Sequence, residues 1–415
     1  MKLPDHESAI GGARYTRHRR VHRSKSHPRP RILQLLATGG SGGAQESYTG
    51  LLLRLDRSKY EVRALSLSAG SAVQRLRGLG IPVEVLDQTD DELAVPDLTK
   101  WLRREEIDLV HSHMYRAEIL GTRAAVAAGV PVIVATVHSS RVRAPEDVQA
   151  LAALTPSIDR LIVPSKSIRR KVVAEGRDAA RFAIIPNGVD LSRFASPTRC
   201  AFRSEFGVPD GAPLLGVVAR LEPEKGQRFL IEAMPEVLRA APDTRLAIVG
   251  EGSEAESLQA LAASLGVSER VLFTGRRDDV AALTADLTVA VLPSSREAQG
   301  ISILEAMARR VPVVASAIGG IPEVITSGTD GILVPPGDSS ALADAIVRLL
   351  TDDALRERIG AAGYRTVVER YSIDAQVKRT ELVYDEELAR AGVLFSAGDG
   401  SPGPSERGAL EVPPV

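Results

Sequence analysis

The sequence predicts an α/β fold class: two domains, each a doubly wound parallel sheet with helices on both faces. Three observations predict it. Short apolar runs of strand length alternate with helix-like stretches from Arg31 to about Ala391, the pattern that builds parallel sheets through crossover helices. Several of those runs stop in glycine- or serine-bearing loops before the next helix, the place where such sheets hold ligands. At 415 residues the chain is long enough for two domains with separate cores. Aromatic residues make up only 4% against 44% hydrophobic overall, so the core is aliphatic, which suits parallel strands covered by helices.

Composition also excludes. A single cysteine, Cys200, rules out an internal disulfide and a thiolate metal cluster. No stretch approaches 18 consecutive apolar residues, so no membrane-spanning helix is expected. The net charge of −1 hides an asymmetry: residues 1–31 carry nine Lys and Arg against Asp5 and Glu7. Residues 1–30 have too little apolar content to fold alone or to form a secretory signal, and read as a disordered basic tail. The tail is an inert extension or a surface for anionic lipid; nucleic acid is not the expected partner.

The folded part begins at Arg31. RILQLLAT reads as a strand, and GGSGGAQES leads through Gly42 and Gly43 into a helix. That order aims unpaired backbone N–H groups at an anion, although a plain tight strand-to-helix turn has the same signature. The loop is not the G-x-G-x-x-G of a dinucleotide site and lacks the lysine of a P-loop, which disfavours a dehydrogenase. YEVRALSLS and IPVEVLD read as strands around the helix SAVQRLRGLG, followed by a helix over LTKWLRREEI. The next strand ends at His111 to His113, and VPVIVATVHSS ends at His138. Alternation puts His111 and His113 on one face. With only Glu118 nearby they make a poor metal site, so they are hydrogen-bonded structure or ligand contacts. PSIDRLIVPSKSIRRKVVAEG is strand, loop and helix, with Ser165 suited to the N-cap. Lys166, Arg169, Arg170, Lys171 and Arg177 form a solvated basic face, or a membrane-facing one if Ile168, Val172 and Val173 share its exposure.

Pro186, Asn187 and Gly188 close a first domain of residues 31–188. In the second domain, 189–363, GVVAR places Arg220 at a strand end and EPEK places Lys225 before Gly226. Two cations in such a loop match a diphosphate, though exposed loop cations are common. Gly250 and Gly252 let backbone approach a ligand, and Phe273, Gly275 and Arg276 follow on the next strand and loop. The densest segment is PSSREAQGISILEAMARRVPVVASAIGGIPEVI. It sets Glu297 in a loop, Gly300 and Ile301 at a helix start, Glu305 within the helix, and Gly319, Gly320 and Glu323 in a second loop. Two carboxylates facing one cleft suit sugar or ribose hydroxyls; two ordinary surface glutamates fit the spacing equally well. Residues 364–391 read as helical and 395–415 as a disordered tail.

The ordered run Glu297-x7-Glu305, EAMA, PVVAS and GGIPE, with Arg220-x4-Lys225-Gly226 before it and D-x-V-H-x-H in the first half, resembles the GT4 family of retaining nucleotide-sugar glycosyltransferases. The resemblance spans roughly residues 31–390 and implies the GT-B arrangement: two facing Rossmann-like domains, with a C-terminal helix (364–391) crossing back to the first. It implies a nucleotide diphosphate sugar as donor, a UDP- or GDP-sugar, with Arg220 and Lys225 on the diphosphate. Gly42, Gly43, Gly250, Gly300 and Ile301 approach the donor through backbone, while Phe273, Gly275 and Arg276 frame the base. Glu305 accepts from the ribose and Glu297 from the transferred sugar. His113, Glu297, Arg220 and Lys225 form the implied catalytic set, with His113 at the reaction centre and His138 on the acceptor side. The resemblance implies no cofactor and no metal. It implies a glycan, glycolipid or lipid-linked acceptor in cell-surface polysaccharide or glycoconjugate synthesis. The implied setting is cytoplasmic, with peripheral contact at the inner membrane face. A soluble-acceptor sugar or sugar-phosphate synthase, a nucleotide-sugar epimerase and a non-catalytic nucleotide-sugar-binding protein remain alternatives, as do monomer and weak homodimer. The chain departs from the family at EAQGIS, where Ala298 and Gln299 replace a proline and an aromatic of the usual PFGL wording; this bears on the sugar preference.

Overall fold

The computed structural model describes residues 28–40, 42–138, 141, 143–195 and 202–393. The basic tail 1–27, Cys200 and residues 394–415 lie outside them. Two parallel sheets carry the chain. The first contains β1 (Arg31–Leu36), β2 (Glu61–Ser66), β3 (Glu84–Val85), β4 (Leu109–His113), β5 (Val132–Thr136), β6 (Arg160–Val163) and β7 (Phe182–Ile184), in the order β3-β2-β1-β4-β5-β6-β7. The second contains β8 (Leu214–Val218), β9 (Arg245–Val249), β10 (Val271–Gly275), β11 (Val289–Leu292), β12 (Val313–Ser316) and β13 (Ile332–Val334), ordered β10-β9-β8-β11-β12-β13. Winding direction reverses between β1 and β4 and again between β8 and β11. Doubly wound sheets open a ligand crevice at such a reversal. The two crevices face each other across the domain boundary.

The central strands are buried on both faces: every residue of β4, β5, β11 and β12 is buried. This explains why they read as continuous apolar runs rather than alternating ones. Two elements differ from the sequence reading. IPVEVLD contributes only the two-residue edge strand β3, because Pro82 donates no amide and one side lacks a neighbour. The helix expected over LTKWLRREEI starts seven residues earlier and runs Asp91–Arg104 with Pro96 inside it. Asp90 caps it by accepting from the Glu92 amide at 2.9 Å, and burial of Ala94, Leu98, Trp101 and Leu102 on one face outweighs the missing amide of the proline.

The segment from Tyr364 is two helices, Asp353–Arg370 and Ile373–Arg390, broken at Tyr371. Ser372 caps the second, accepting from the Ala375 amide at 3.2 Å. The first packs in the second domain. The second returns: Ile373, Val377, Val383, Tyr384 and Leu388 join Ile32, Leu51, Leu109, Val134 and Ile162 in one apolar cluster under the first sheet. The chain therefore crosses between domains twice, at 186–190 and at 371–373. The crossings lie side by side, with the Val189 amide on Tyr371 O at 2.8 Å and the Ile373 amide on Val189 O at 2.9 Å. Gly188 is required there, since a Cβ would sit 2.3 Å from Ser372 O.

Candidate active site

On the first domain the carboxyl ends of β1, β4 and β5 hold a layer of imidazoles. The strand register sets Leu36 beside His113 and His113 beside Thr136, and His111 and His113 do share a face, their rings 4.1 Å apart. Gln34 orders the layer. Its amide nitrogen donates to Tyr384 Oη at 2.8 Å, so its oxygen is left to accept from His113 Nε2 at 2.9 Å. The proton of His113 then lies on Nε2, and Nδ1 accepts from His138 Nε2 at 3.1 Å. Tyr384 Oη donates to His111 Nδ1 at 2.6 Å, and His111 Nε2 donates to Thr136 Oγ1 at 2.6 Å. Burial disfavours the charged form throughout: it lowers His111 to about 3, His138 to about 4, and His113 well below its ordinary value. All three are neutral imidazoles at neutral pH. His113 is only 2% exposed and both its nitrogens are occupied; His138 is the less buried member of the pair.

The second domain supplies charge. Lys225, in the loop after β8, pairs with Glu297, in the loop after β11, at 2.5 Å, with side chains 18% and 12% exposed. Gly226 permits this because its φ of 67° and the nearness of Pro293 O, 2.1 Å from where a Cβ would be, admit no side chain. Arg220 is more open, 48% exposed, and reaches Glu224 at 3.3 Å and Glu222 at 3.8 Å. Burial pushes the Glu224 carboxyl up, but a backbone hydrogen bond and the cations Arg296, Arg220 and Lys225 outweigh it and leave it below the usual range. Gly250 and Gly252 lie behind this loop, where Cβ atoms would come 2.0 Å from Ala219 O and 2.2 Å from Leu221 O. They allow the strand-end packing from which Arg220 projects. Phe273 and Gly275 end β10, and Arg276 pairs with Asp278 at 3.0 Å beyond them.

The helix Ile301–Ala308 starts at Gly300, φ 89°, with no side-chain cap, which leaves its first amides and dipole to an anion. Gly43 of the first domain meets it: a Cβ there would be 3.2 Å from Ile301 Cδ1. The adjacent Gly42 adopts φ 149°. The Gly42–Gly43 and Gly300–Ile301 turns thus close on one another across the cleft. Glu305, one helical turn on, is half-buried and apart from the Lys225–Glu297 pair. Burial raises its carboxyl to about 7, while Arg193 and Arg75 pull it down and Glu46 pushes it up. Those three bridge the domains: Glu46 accepts from Arg193 at 2.7 Å and from Arg75 at 3.0 Å.

The loop between Glu297 and Gly300 touches the first domain on both sides. Ser165 Oγ, besides capping its own helix, donates to Ala298 O at 2.9 Å. Gln299, the departure noted in the sequence, is 2% exposed and bonded to Asn187. Glu323 of GGIPE accepts from the amides of Lys166 and Ser167, both at 2.8 Å. Beside this seam a cavity of about 570 Å³ is lined by Ser167, Lys171, Glu224, Arg296, Glu297 and Gly319. Ile168 and Val172 are core residues, Val173 is half-buried, and Arg177 is buried against Glu118, so Ile168, Val172 and Arg177 do not belong to an exposed basic face. Among the described residues no cluster of three His, Cys, Asp or Glu is placed to hold a metal ion.

Residues 41–193 match the family described as Glycosyltransferase Family 4, and residues 199–366 match Glycosyl transferases group 1. The phosphatidyl-myo-inositol mannosyltransferase of Mycobacterium leprae is 36% identical over 71% of this chain and 77% of that protein. The chain is a GT-B glycosyltransferase of the GT4 family. A second relative of this glycosyltransferase, from Corynebacterium glutamicum, is the GDP-mannose-dependent monoacylated alpha-(1-6)-phosphatidylinositol monomannoside mannosyltransferase. It is 33% identical over 69% of this chain and 78% of that protein. Among solved structures, Anabaena HepE in complex with UDP and glucose superposes with a TM-score of 0.79 at 25% identity, covering 86% of this chain and all of that one. Three residues bonded into this cleft were not singled out as site residues in the sequence. Gln34, a lone polar residue inside an apolar strand, gave a readable signal. Asn187 was legible only as part of the Pro186–Gly188 domain boundary, and Tyr384 gave no signal.

Proposed function

We propose that this glycosyltransferase moves a hexose from a GDP- or UDP-sugar onto a glycolipid or lipid-linked acceptor, with retention, as a step in glycoconjugate synthesis. The observation that carries the reading is the facing of the two halves: Arg220, Lys225 and Glu297 on one wall, and the Gly42–Gly43 turn with the histidine layer on the other. Lys225, Arg220 and the open amides at Ile301 hold the diphosphate and take up the negative charge that grows on it. Glu297 accepts from hydroxyls of the transferred sugar, and Glu305 accepts from the ribose once ionised. As the anomeric C–O bond to phosphate breaks, the acceptor oxygen bonds to the same carbon from the same face. Its proton passes to the departing phosphate oxygen. The neutral His113–His138 pair positions the sugar or acceptor through His138 and does not act as a base of ordinary histidine strength. Closure of the halves keeps water from the donor.

Two relatives named as mannosyltransferases of phosphatidylinositol lipids favour a GDP-mannose donor and an inositol-lipid class of acceptor; the HepE complex keeps UDP-glucose chemistry in view. Among the described residues no helix is long and apolar enough to cross a membrane, so a lipid acceptor would be met at the membrane surface, the inner face in a cytoplasmic enzyme. The test is a panel of GDP-, UDP- and ADP-sugars in EDTA, followed by phosphatidylinositol and mannosylated phosphatidylinositol in vesicles. Selective donor turnover with lipid product is expected. Turnover only with a soluble acceptor, or only with added metal, would overturn the respective part.

A further inference from the structure

Loop residues 297–299 are divided between the two domains. Glu297 turns to Lys225 within its own domain. Ala298 and Gln299 turn to the other. Gln299 Oε1 accepts from the Asn187 amide at 2.7 Å and from Asn187 Nδ2 at 3.0 Å, while Gln299 Nε2 donates to Asn187 O at 3.2 Å. Asn187 sits on the first interdomain crossing. Its remaining oxygen accepts from Ser47 Oγ at 3.0 Å, Ser47 Oγ accepts from Gln376 Nε2 at 2.8 Å, and Gln376 Oε1 accepts from the Gly188 amide at 2.6 Å. The four side chains are buried, and each of these donors meets an acceptor. The network joins the Gly43–Arg54 helix, both crossings and the sugar-side loop. A buried amide forfeits these bonds if the domains separate, and unpaired buried amides are costly.

We propose that Gln299 is a positioning residue: it clasps the Glu297 loop to the crossing at Asn187, so that Glu297 takes its sugar-contacting position only in the closed arrangement. An aromatic at this place supplies packing but no such reciprocal bonds. The clasp couples sugar positioning to closure, whereas Arg220 and Lys225 of the diphosphate clamp are held by second-domain residues. It rests on the transferase reading above.

The experiment compares wild type with Gln299→Ala and Gln299→Leu in three measurements: hydrogen exchange of the 183–190 peptide, calorimetric binding of GDP and UDP, and hydrolysis or transfer kinetics with the donor selected from the panel. The variants are expected to exchange about tenfold faster at the crossing and to lose about tenfold or more in kcat, with nucleotide Kd within about twofold of wild type. Asn187→Ala combined with Gln299→Ala should cost no more than the worse single change, because both break one unit. Unchanged exchange, or faster exchange with wild-type kcat, would overturn the proposal. Nucleotide Kd weakening in parallel with kcat would also overturn it, by showing a role in folding the donor loop. If wild type turns over no nucleotide sugar, the transferase reading fails instead, and the exchange comparison still decides whether the clasp exists.

Discussion

The two walls of the cleft are built on opposite principles. The first-domain wall is neutral and saturated: Gln34, His111, His113, Thr136, His138 and Tyr384 use their polar atoms on one another. The second-domain wall is charged and exchangeable: Lys225 holds Glu297, Arg220 holds Glu224, and Arg296 holds Glu224 at 3.5 Å. A neutral wall bonded largely to itself keeps its geometry without a ligand. A wall of ion pairs keeps its charges in place but can exchange one partner for a phosphate. On the proposed reading, the first domain supplies shape and the second supplies charge stabilisation.

The largest effect should come from removing charge on the exchangeable wall. Lys225→Ala is expected to lower kcat/KM for the donor by about 10²–10³-fold, the scale for losing one donor to a developing anion, measured by donor hydrolysis in EDTA; a tenfold smaller loss would break the assignment. On the saturated wall the expected effect is on stability. Gln34→Leu orphans His113 Nε2 and removes the donor to Tyr384 Oη, which keeps its bond to His111, and should cost about 1–3 kcal/mol in urea unfolding, with nucleotide binding unchanged.

The next effect is a pH dependence. The folded pKa values of His111 and His138 are depressed to about 3 and about 4, and that of His113 well below ordinary. The unfolded chain therefore binds protons that the folded one refuses. Their contribution is fully present above about pH 6.5 and lost as pH falls toward 4 and then 3, each histidine withdrawing up to about 1.4 kcal/mol per pH unit. Urea midpoints at pH 7 and pH 5 check this, and His111→Gln should flatten the slope. The smallest effect sits at Glu305. Its carboxyl, raised to about 7, loses its proton as pH rises through that value and, on the proposed reading, becomes the better ribose acceptor. Nucleotide affinity should rise by about threefold or more between pH 6 and 8, and Glu305→Gln should remove that part of the rise.

Much of this was legible in sequence because it depends on local order. Strand, loop and helix sequence placed Arg220, Lys225, Glu297 and the glycine turns at strand ends, and strand alternation put His111 with His113. Partners far apart in the chain could not be read. Gln34 and Tyr384 are separated by 350 residues, and nothing near either residue announces the other. The bonds of Gln299 were equally hidden, since a glutamine two residues after Glu297 looks like a ligand contact until the crossing at Asn187 is seen beside it. Pro96 misled for a different reason: local propensity argues against a helix there, and the buried face of Ala94, Leu98 and Trp101 overrides it.

The returning helix Ile373–Arg390 has a consequence for biosynthesis. The sheet it covers is complete in sequence at Ile184, yet its lower face, shared with Leu51 and Leu55, is only partly covered until residues near Leu388 leave the ribosome. At translation rates of about 5–20 residues per second that delay is roughly 10–40 s. Throughout it, Ile32, Leu109, Val134 and Ile162 are open to chaperones or to self-association, and His111 lacks Tyr384. The nascent first half thus waits while the second half is made, and the imidazole layer gains its Tyr384 bonds only after both halves exist.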